Sequence, residues 1–568
     1  MHETLQPGGE TPRLSTPATI GWAILIAVTL FVCYFSHLGA IGFVGPDEPR
    51  YAWIARDMVE TGDWVTPRLY GKPWFEKPPL FYWGAALSFK LFGVSEAAAR
   101  LPSAICALLA TLAMAWLAWR LYGAETARWL LLLLPTTVGM IGFSHAAATD
   151  MPFSGMLTIA MVCAAVVLGL TRNENSPIIP RTPWFALSLF GFFLGLAVLA
   201  KGPAAIVLCG GAVFFWALFT KRWRDAFRLL HPAALVVFCV TALPWYILCA
   251  RRNPDFFRIF IIEHNFKRYL TPEFQHIQPF WFYVPVLLVA FFPWTPILLW
   301  TTCVGAMQFI RERFVSASIG FLLAWAVFCV AFFTISQSKL PGYILPTIPG
   351  MGLLLARSCI YLASRHHKSF GLFALCFGIL SEVAFLILNA SHLDAIERLG
   401  AFKQSAFVVL FFVGSASVFV GVVFLLSARR GARSLALAVG VAPVVASLAC
   451  LAFVPSSSTF FLFSPAYIAQ EIRNQRVSVN ELRVSGLTRS TQFGLNFYLD
   501  SYVPEWDRDT SREVYVLTEG RGASCLQQPS EMTCKDEWLE EERLDVFALL
   551  HLVPKASVSS PTGSRQLH

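Results

Sequence analysis

The chain has 568 residues, of which 56% are hydrophobic and only 14% charged, and its mean hydropathy is +0.59. A soluble protein carries charge on about a quarter of its residues, so a water-soluble globule is excluded and a polytopic membrane protein is expected. The net charge of +9 then reflects the sidedness of loops, and nucleic-acid binding is a poor explanation for it.

The first apolar segment, Ile20 to Val44, is longer than a signal-peptide core and lacks a small-residue cleavage site. It reads as a retained first span behind a 1–19 tail. Runs of roughly 17–25 apolar residues mark spanning helices. They fall near 20–44, 97–119, 126–144, 151–170, 184–200, 203–220, 232–250, 280–303, 317–335, 342–363, 370–390, 405–427 and 434–454, about thirteen in all. Leu80 to Phe92 is too short to cross. It and the helical pattern of Arg50 to Val59 read as interfacial helices within the 45–96 loop.

One alternating set of loops is short and basic. It holds Arg120 and Arg128; Arg172 and Arg181; Lys221, Arg222, Arg224 and Arg228; Arg311 and Arg313; Arg357, Arg365 and Lys368; and Arg429, Arg430 and Arg433. The positive-inside rule makes this set cytoplasmic, together with the amino terminus. The opposite set carries the unusual polar residues: Gly45 to Leu80, His145 to Asp150, Lys201-Gly202-Pro203, Arg251 to Pro279 and Ser336 to Tyr343. The chemically active face is therefore expected outside the cytoplasm. After the membrane domain, 20–454, the composition turns polar with alternating strand-like runs, and 455–568 reads as a small outer α/β domain. All cysteines but Cys525 and Cys534 lie in apolar segments. Those two are either a disulfide or two free thiols.

Charge placed against a membrane span is costly and marks function, and Gly45 to Leu80 is the densest such stretch. Asp47 and Glu48 follow the first span, where an aspartate can serve as a general base; capping the helix that starts there is the alternative for Asp47. Lys77, fixed by Pro78 and Pro79, suits a phosphate oxygen, with Arg50 as a second cation; snorkelling to head groups is the alternative. In Glu263 to Tyr269, Lys267 and Arg268 are candidates for phosphate contacts against a plain solvated face. His264 with Glu76 could share a divalent ion, though a lone loop histidine is more often just a hydrogen-bonded residue. Asp150 ends a span on the same side, as do Lys339 and Tyr343. Charges at the outer interface rather than at the bilayer midplane argue against a lipid or sugar transporter.

The run DEPRYAWIARDMVETGDWVTPRLYGKPWFEKPPL, followed in order by TDMPF, LAKGP, EHN and SKLPGYILP, resembles the bacterial aminoarabinose transferases of lipid A. These are polyprenyl-phosphate-dependent type C glycosyltransferases, related to protein O-mannosyltransferases. The resemblance covers most of the membrane region and fades in the C-terminal domain. It implies an α-helical polytopic membrane protein of the type C glycosyltransferase fold, in the bacterial inner membrane, with active site and C-terminal α/β domain in the periplasm. It implies inverting transfer of a sugar from undecaprenyl phosphate to lipid A or a related acceptor, the lipid modification that underlies polymyxin resistance. The best match for the sugar is 4-amino-4-deoxy-L-arabinose; galacturonic acid, mannose and protein Ser/Thr acceptors are the alternatives. Residue by residue, Asp47 matches the acidic residue of the reaction centre, and Arg50, Lys77 and Lys267 the cations of the lipid phosphate. Glu76 and His264 match a pair able to hold one divalent metal, zinc or similar; no nucleotide cofactor is expected. Tyr51, Asp150 and Tyr343 match site-lining residues. Trp74, where relatives carry tyrosine, and Gly342, in the Lys-Leu-Pro-x-Tyr motif, depart from the pattern and leave the sugar open.

Overall fold

The computed structural model describes residues 16–171, 183–270, 277–312, 316–362, 367–390, 415, 417–423, 425, 464–507, 513–519, 532–537 and 547–554. Helices dominate. In chain order the first are α1 (Thr16–Tyr34), α2 (Asp47–Thr61), α3 (Leu80–Phe92), α4 (Glu96–Tyr122), α5 (Ala124–Leu133), α6 (Val138–Ser144), α7 (Asp150–Val167), α8 (Trp184–Lys201), α9 (Ala204–Thr220), the short α10 (Trp223–Phe227) and α11 (Pro232–Arg252). Between α2 and α3 lies a small hairpin of β1 (Arg68–Leu69) and β2 (Lys72–Pro73). Its turn residues Tyr70 and Gly71 both have positive φ, 53° and 77°, as the tight turn of a two-residue hairpin demands.

Among the described residues six helices are long and apolar enough to cross a membrane, or seven if α5 and α6 form one broken span. The span expected at 405–427 falls largely outside the described residues, and that at 434–454 wholly so. Three expected spans differ in shape. The first stops at Tyr34, well before Val44, because Ser36, His37, Gly39 and Gly42 interrupt the apolar run and His37 adopts φ 58°. The pair α5 and α6 bends by 63° around Pro135, which has no N–H to continue a helix. There Trp294 donates to the Thr136 hydroxyl at 2.9 Å and the Val138 N–H to the Phe292 carbonyl at 3.0 Å, so the neighbouring chain takes up part of the break. The run at 280–303 is likewise split, into Tyr283–Ala290 and Thr295–Glu312, with Pro293 between.

Helix α7 is the centre of the membrane domain, buried along nearly its whole length between α4 and α8. Small residues permit this. A Cβ at Gly155 would stand 2.9 Å from the Cys106 carbonyl of α4, and close backbone approach is what drives helix association in lipid. Peripheral α11 instead exposes Val236, Val240 and Ile247, which suits an acyl-chain environment.

The C-terminal region is the expected small α/β unit. Helices Pro465–Asn474 and Arg489–Leu499 pack on a sheet of β3 (Leu482–Ser485), β4 (Val514–Glu519), β5 (Met532–Glu537) and β6 (Phe547–Pro554) in the order β3-β4-β6-β5. Strands β3 and β4 are parallel, with Leu482 opposite Tyr515, and the remaining pairs are antiparallel. The crossover helix Arg489–Leu499 buries Leu495 and Leu499 against Ile468, Ile472, Val484 and Leu517. Cys525 lies outside the described residues, and Cys534 is described only as backbone of β5.

Candidate functional site

The turn after α1 is held by one side chain. Arg100, near the start of α4, is 2% exposed. It donates to the carbonyls of Leu38 and Ile41 at 2.8 Å and of Gly42 at 2.9 Å, and to the two carboxylate oxygens of Glu48 at 3.0 and 2.7 Å. Every N–H of the guanidinium fork thus has an acceptor. Glu48 also accepts the N–H groups of Val44 and Ala147, both at 2.7 Å. Expected beside Asp47 at the reaction centre, Glu48 is instead buried and committed to these protein groups. It ties α2, α4, the loop after α1 and the loop before α7 to one point.

Its neighbour Asp47 is turned elsewhere. The N-cap position of α2 belongs to Pro46 and no side chain caps the helix, so capping is not what Asp47 does. Its carboxylate, 49% exposed, lies 2.5 Å from Arg50 Nη2. The same Nη2 reaches Glu76 Oε2 at 3.0 Å, and Lys77 Nζ lies 3.5 Å from Glu76 Oε1. Desolvation by the protein around its inner half pushes the Asp47 pKa above the usual carboxylate value; Arg50 opposes this, and the charge of Glu76 adds to it. Asp150 also lies near enough to act on it.

Arg50 is buried in an aromatic box, with its guanidinium 5.1 Å from the Tyr51 ring, 5.4 Å from Trp74 and 5.7 Å from Phe493. Tyr51 packs against Tyr82 at 5.7 Å. Three buried donor atoms in this group, Arg50 Nε, Trp74 Nε1 and the Tyr82 hydroxyl, find no hydrogen-bond partner among the described residues. Buried polar groups are nearly always paired, so a cluster of orphaned donors is a site wanting an acceptor. Burial, and then the Glu76 charge, raise the Tyr82 pKa well above its ordinary value, which keeps that hydroxyl protonated.

A second charged pair lies alongside. Lys201, at the end of α8, places Nζ 2.5 Å from Asp150 Oδ1 and 4.7 Å from the Tyr343 ring. Gly342 is required here: a Cβ would stand 2.7 Å from Asp150 Oδ1 and 2.8 Å from Phe143. Lys339 is buried and donates from Nζ to the Gln278 carbonyl at 3.1 Å. That bond ties the 336–343 loop to the chain at Gln278. His264 and Lys267 lie on a wide helical turn, Arg258–Lys267, with Lys267 exposed; the Arg268 side chain lies outside the described residues. Among the described residues no three His, Cys, Asp or Glu side chains gather as a metal site, so an ion at Glu76 and His264 would need substrate oxygens to complete its shell.

Known proteins carry the same chain pattern. The model of the Dolichyl-phosphate-mannose-protein mannosyltransferase family matches residues 22–260. The undecaprenyl phosphate-alpha-4-amino-4-deoxy-L-arabinose arabinosyl transferase of Yersinia pestis is 30% identical over 383 residues, covering 66% of this chain and 67% of that protein. This chain belongs to that transferase family. The family's Serratia proteamaculans member is 32% identical over 383 residues, and the match spans 66% of each chain, just under two thirds of that relative's length. The crystal structure of ArnT from Cupriavidus metallidurans bound to undecaprenyl phosphate matches with a TM-score of 0.73 at 24% identity, covering 95% of this chain and 99% of that one. The fold is thus the type C glycosyltransferase fold of the family, on a multi-pass membrane protein.

Proposed function

We propose that the protein transfers 4-amino-4-deoxy-L-arabinose, with inversion, from undecaprenyl phosphate to lipid A at the periplasmic face of the inner membrane. The observation that carries this reading is the Arg50 group: a buried guanidinium with an unpaired Nε, beside the unpaired Trp74 and Tyr82 donors, one residue pair away from Lys77 and in contact with Asp47. A phosphate supplies the acceptor oxygens these donors lack. The names of the relatives supply the sugar.

In this reading an acceptor oxygen attacks the anomeric carbon on the face opposite the phosphate. The bond from that carbon to the phosphate oxygen breaks, and its electron pair leaves on undecaprenyl phosphate. Arg50 and Lys77 stabilise the charge gathering on the phosphate, and fixed cations in a water-poor site are worth far more than in solution. Lys267 and Arg268 are further phosphate contacts in the proposal. Glu76 stands between Arg50 and Lys77 and holds the two cations in place. Asp47 takes the proton when the acceptor is a hydroxyl; a lipid A phosphate needs little base help, and Asp47 then orients the donor. Tyr51, Trp74 and Tyr343 line the sugar, with Asp150 positioned by Lys201. Glu48 acts through Asp47 and is a positioning residue. A divalent ion, zinc or similar, belongs to the proposal at Glu76 and His264, since a carboxylate and an imidazole are donors such an ion accepts; when bound it would add positive charge beside the leaving phosphate.

Mass spectrometry of lipid A from strains with and without the protein tests the reading. The pentosamine adduct is expected to vanish on deletion and to return on complementation. Unchanged lipid A in the deletion strain, with sugar lost from periplasmic proteins instead, would favour the second reading, protein O-mannosyl transfer, which rests on the family match over 22–260.

The Asp150 cluster gives a more local prediction. Gly342→Ala must move the Asp150 carboxylate or Phe143, since its Cβ would meet them at 2.7 and 2.8 Å. Small misplacements in a site cost about a hundredfold in rate, and transfer in membrane vesicles is expected to fall about that far. Gly210→Ala, with nothing within 4 Å, is the control and should transfer normally.

A further inference from the structure

The crossover helix Arg489–Leu499 of the C-terminal domain has two working faces. Leu495 and Leu499 enter that domain's own core. Phe493 and Phe497, four apart and hence on one side of the helix, pack instead on the apolar cluster built by α2, α3 and the start of α4. This second face is locked at several points. The Tyr498 hydroxyl donates to Glu96 Oε1 at 2.8 Å and accepts the Phe43 N–H at 2.9 Å. The Phe43 ring meets Phe497 edge-on at 4.8 Å. Arg56 pairs with Asp500 and stacks on Phe497 at 5.1 Å. Phe43 belongs to the same turn whose carbonyls Arg100 holds, so the helix is registered on the element that carries Asp47.

What this docking delivers is Phe493, whose ring lies 5.7 Å from the Arg50 guanidinium. Tyr51 and Trp74, both from the membrane domain, form the other sides of that aromatic box. We infer that Phe493 is a positioning residue for the donor phosphate: the C-terminal domain supplies the wall that holds Arg50 in its phosphate-binding orientation. This rests on the donor reading above. Two features separate it from a purely structural role. Phe493 is only half-buried and lies outside the C-terminal core, so its truncation leaves that core intact. And the Nη2 of Arg50 is already drawn to Asp47 and Glu76, which leaves the orphaned Nε edge to be aimed by the rings around it.

The test uses the full-length protein in detergent or nanodiscs, with undecaprenyl phosphate as probe, read by native mass spectrometry, and with donor kinetics beside it. Phe493→Ala is expected to weaken undecaprenyl phosphate retention and raise the donor KM about tenfold, between the sizes of an exposed and a fully desolvated cation–π contact, with kcat changed less than KM. Phe493→Tyr restores the ring and should return both values to within about twofold of wild type. Thermal unfolding of both variants should match wild type. If wild type and Phe493→Ala retain the lipid equally and share one donor KM, this inference is overturned while the donor reading stands. A loss in Phe493→Ala that Phe493→Tyr fails to rescue also overturns it. A wild-type protein that retains no undecaprenyl phosphate overturns the donor reading, and this inference with it.

Discussion

Asp47→Asn is expected to lower sugar transfer about a thousandfold, within the range that either a positioned proton-transfer group or a lost orientation of the donor costs, while leaving the fold intact. The carboxylate is half-exposed and its only described ion pair is with Arg50, which keeps Glu76 as a second partner. Little structure therefore depends on it. Both roles open to Asp47, taking a proton and orienting the donor, need the ionised form, so acidification should mimic the amide. Because desolvation by the surrounding protein, with the nearby Glu76 and Asp150 charges, raises its pKa even with half of the carboxylate open, the acid limb of the pH–rate profile should lie above the ordinary aspartate value of about 4: activity is full on the alkaline side of the limb and lost as pH falls through it. The residual rate of Asp47→Asn should show no such limb. Transfer assays with purified protein across the pH range decide the matter. A variant that modifies lipid A at the wild-type rate would remove Asp47 from the reaction.

The stretch from Gly45 to Leu80 could be read from sequence because its residues act locally. Asp47, Arg50, Glu76 and Lys77 are gathered by one short helix and one hairpin, and the glycine and proline signals of those elements are plain in the chain. Seven of the roughly thirteen expected spans, with α5 and α6 counted as one, were legible among the described residues for the same reason, since lipid imposes length and apolarity on each helix separately. What sequence concealed depends on distant partners. Arg100 falls at the edge of an apolar run, where an arginine reads as a marker of sidedness; its meaning comes from carbonyls on a turn that the hydropathy pattern had absorbed into the first span. Lys201 stood among the outer polar residues, but nothing in the chain joins it to Asp150. Lys339, grouped with the site by proximity to Tyr343, donates to the Gln278 carbonyl, a partner the sequence does not point to. Phe493 belongs to a domain without a recognisable motif, and only the docking of its helix brings it to Arg50. An arginine inside the apolar run 97–119, costly in a span, is the one sequence signal that pointed to a buried partner for it.

That clamp gives the largest expected effect on stability. Glu48→Gln keeps the shape of the side chain but leaves a single acceptor oxygen where two are used, against donors from Arg100, Val44 and Ala147. The new amide also directs its own N–H groups at donors. Breaking a buried ion pair from one side costs about 3–5 kcal/mol, because Arg100, 2% exposed, remains charged without its counter-ion. Arg100→Lys should be nearly as damaging, since an ammonium cannot reproduce the fork that holds Leu38, Ile41, Gly42 and Glu48 together. Membrane proteins commonly unfold irreversibly, so the measurement is the half-life of activity in detergent at a fixed elevated temperature. Both variants should inactivate at least tenfold faster than wild type, and their initial activity should drop because α2 no longer holds Asp47 in register. Asp47→Asn, one residue away, should be nearly inactive from the start yet keep a wild-type half-life. Two adjacent acids would then fail in opposite ways, one through chemistry and one through structure. If Glu48→Gln instead keeps the wild-type half-life and loses only turnover, Glu48 belongs at the reaction centre with Asp47 and the clamp is not what holds the turn.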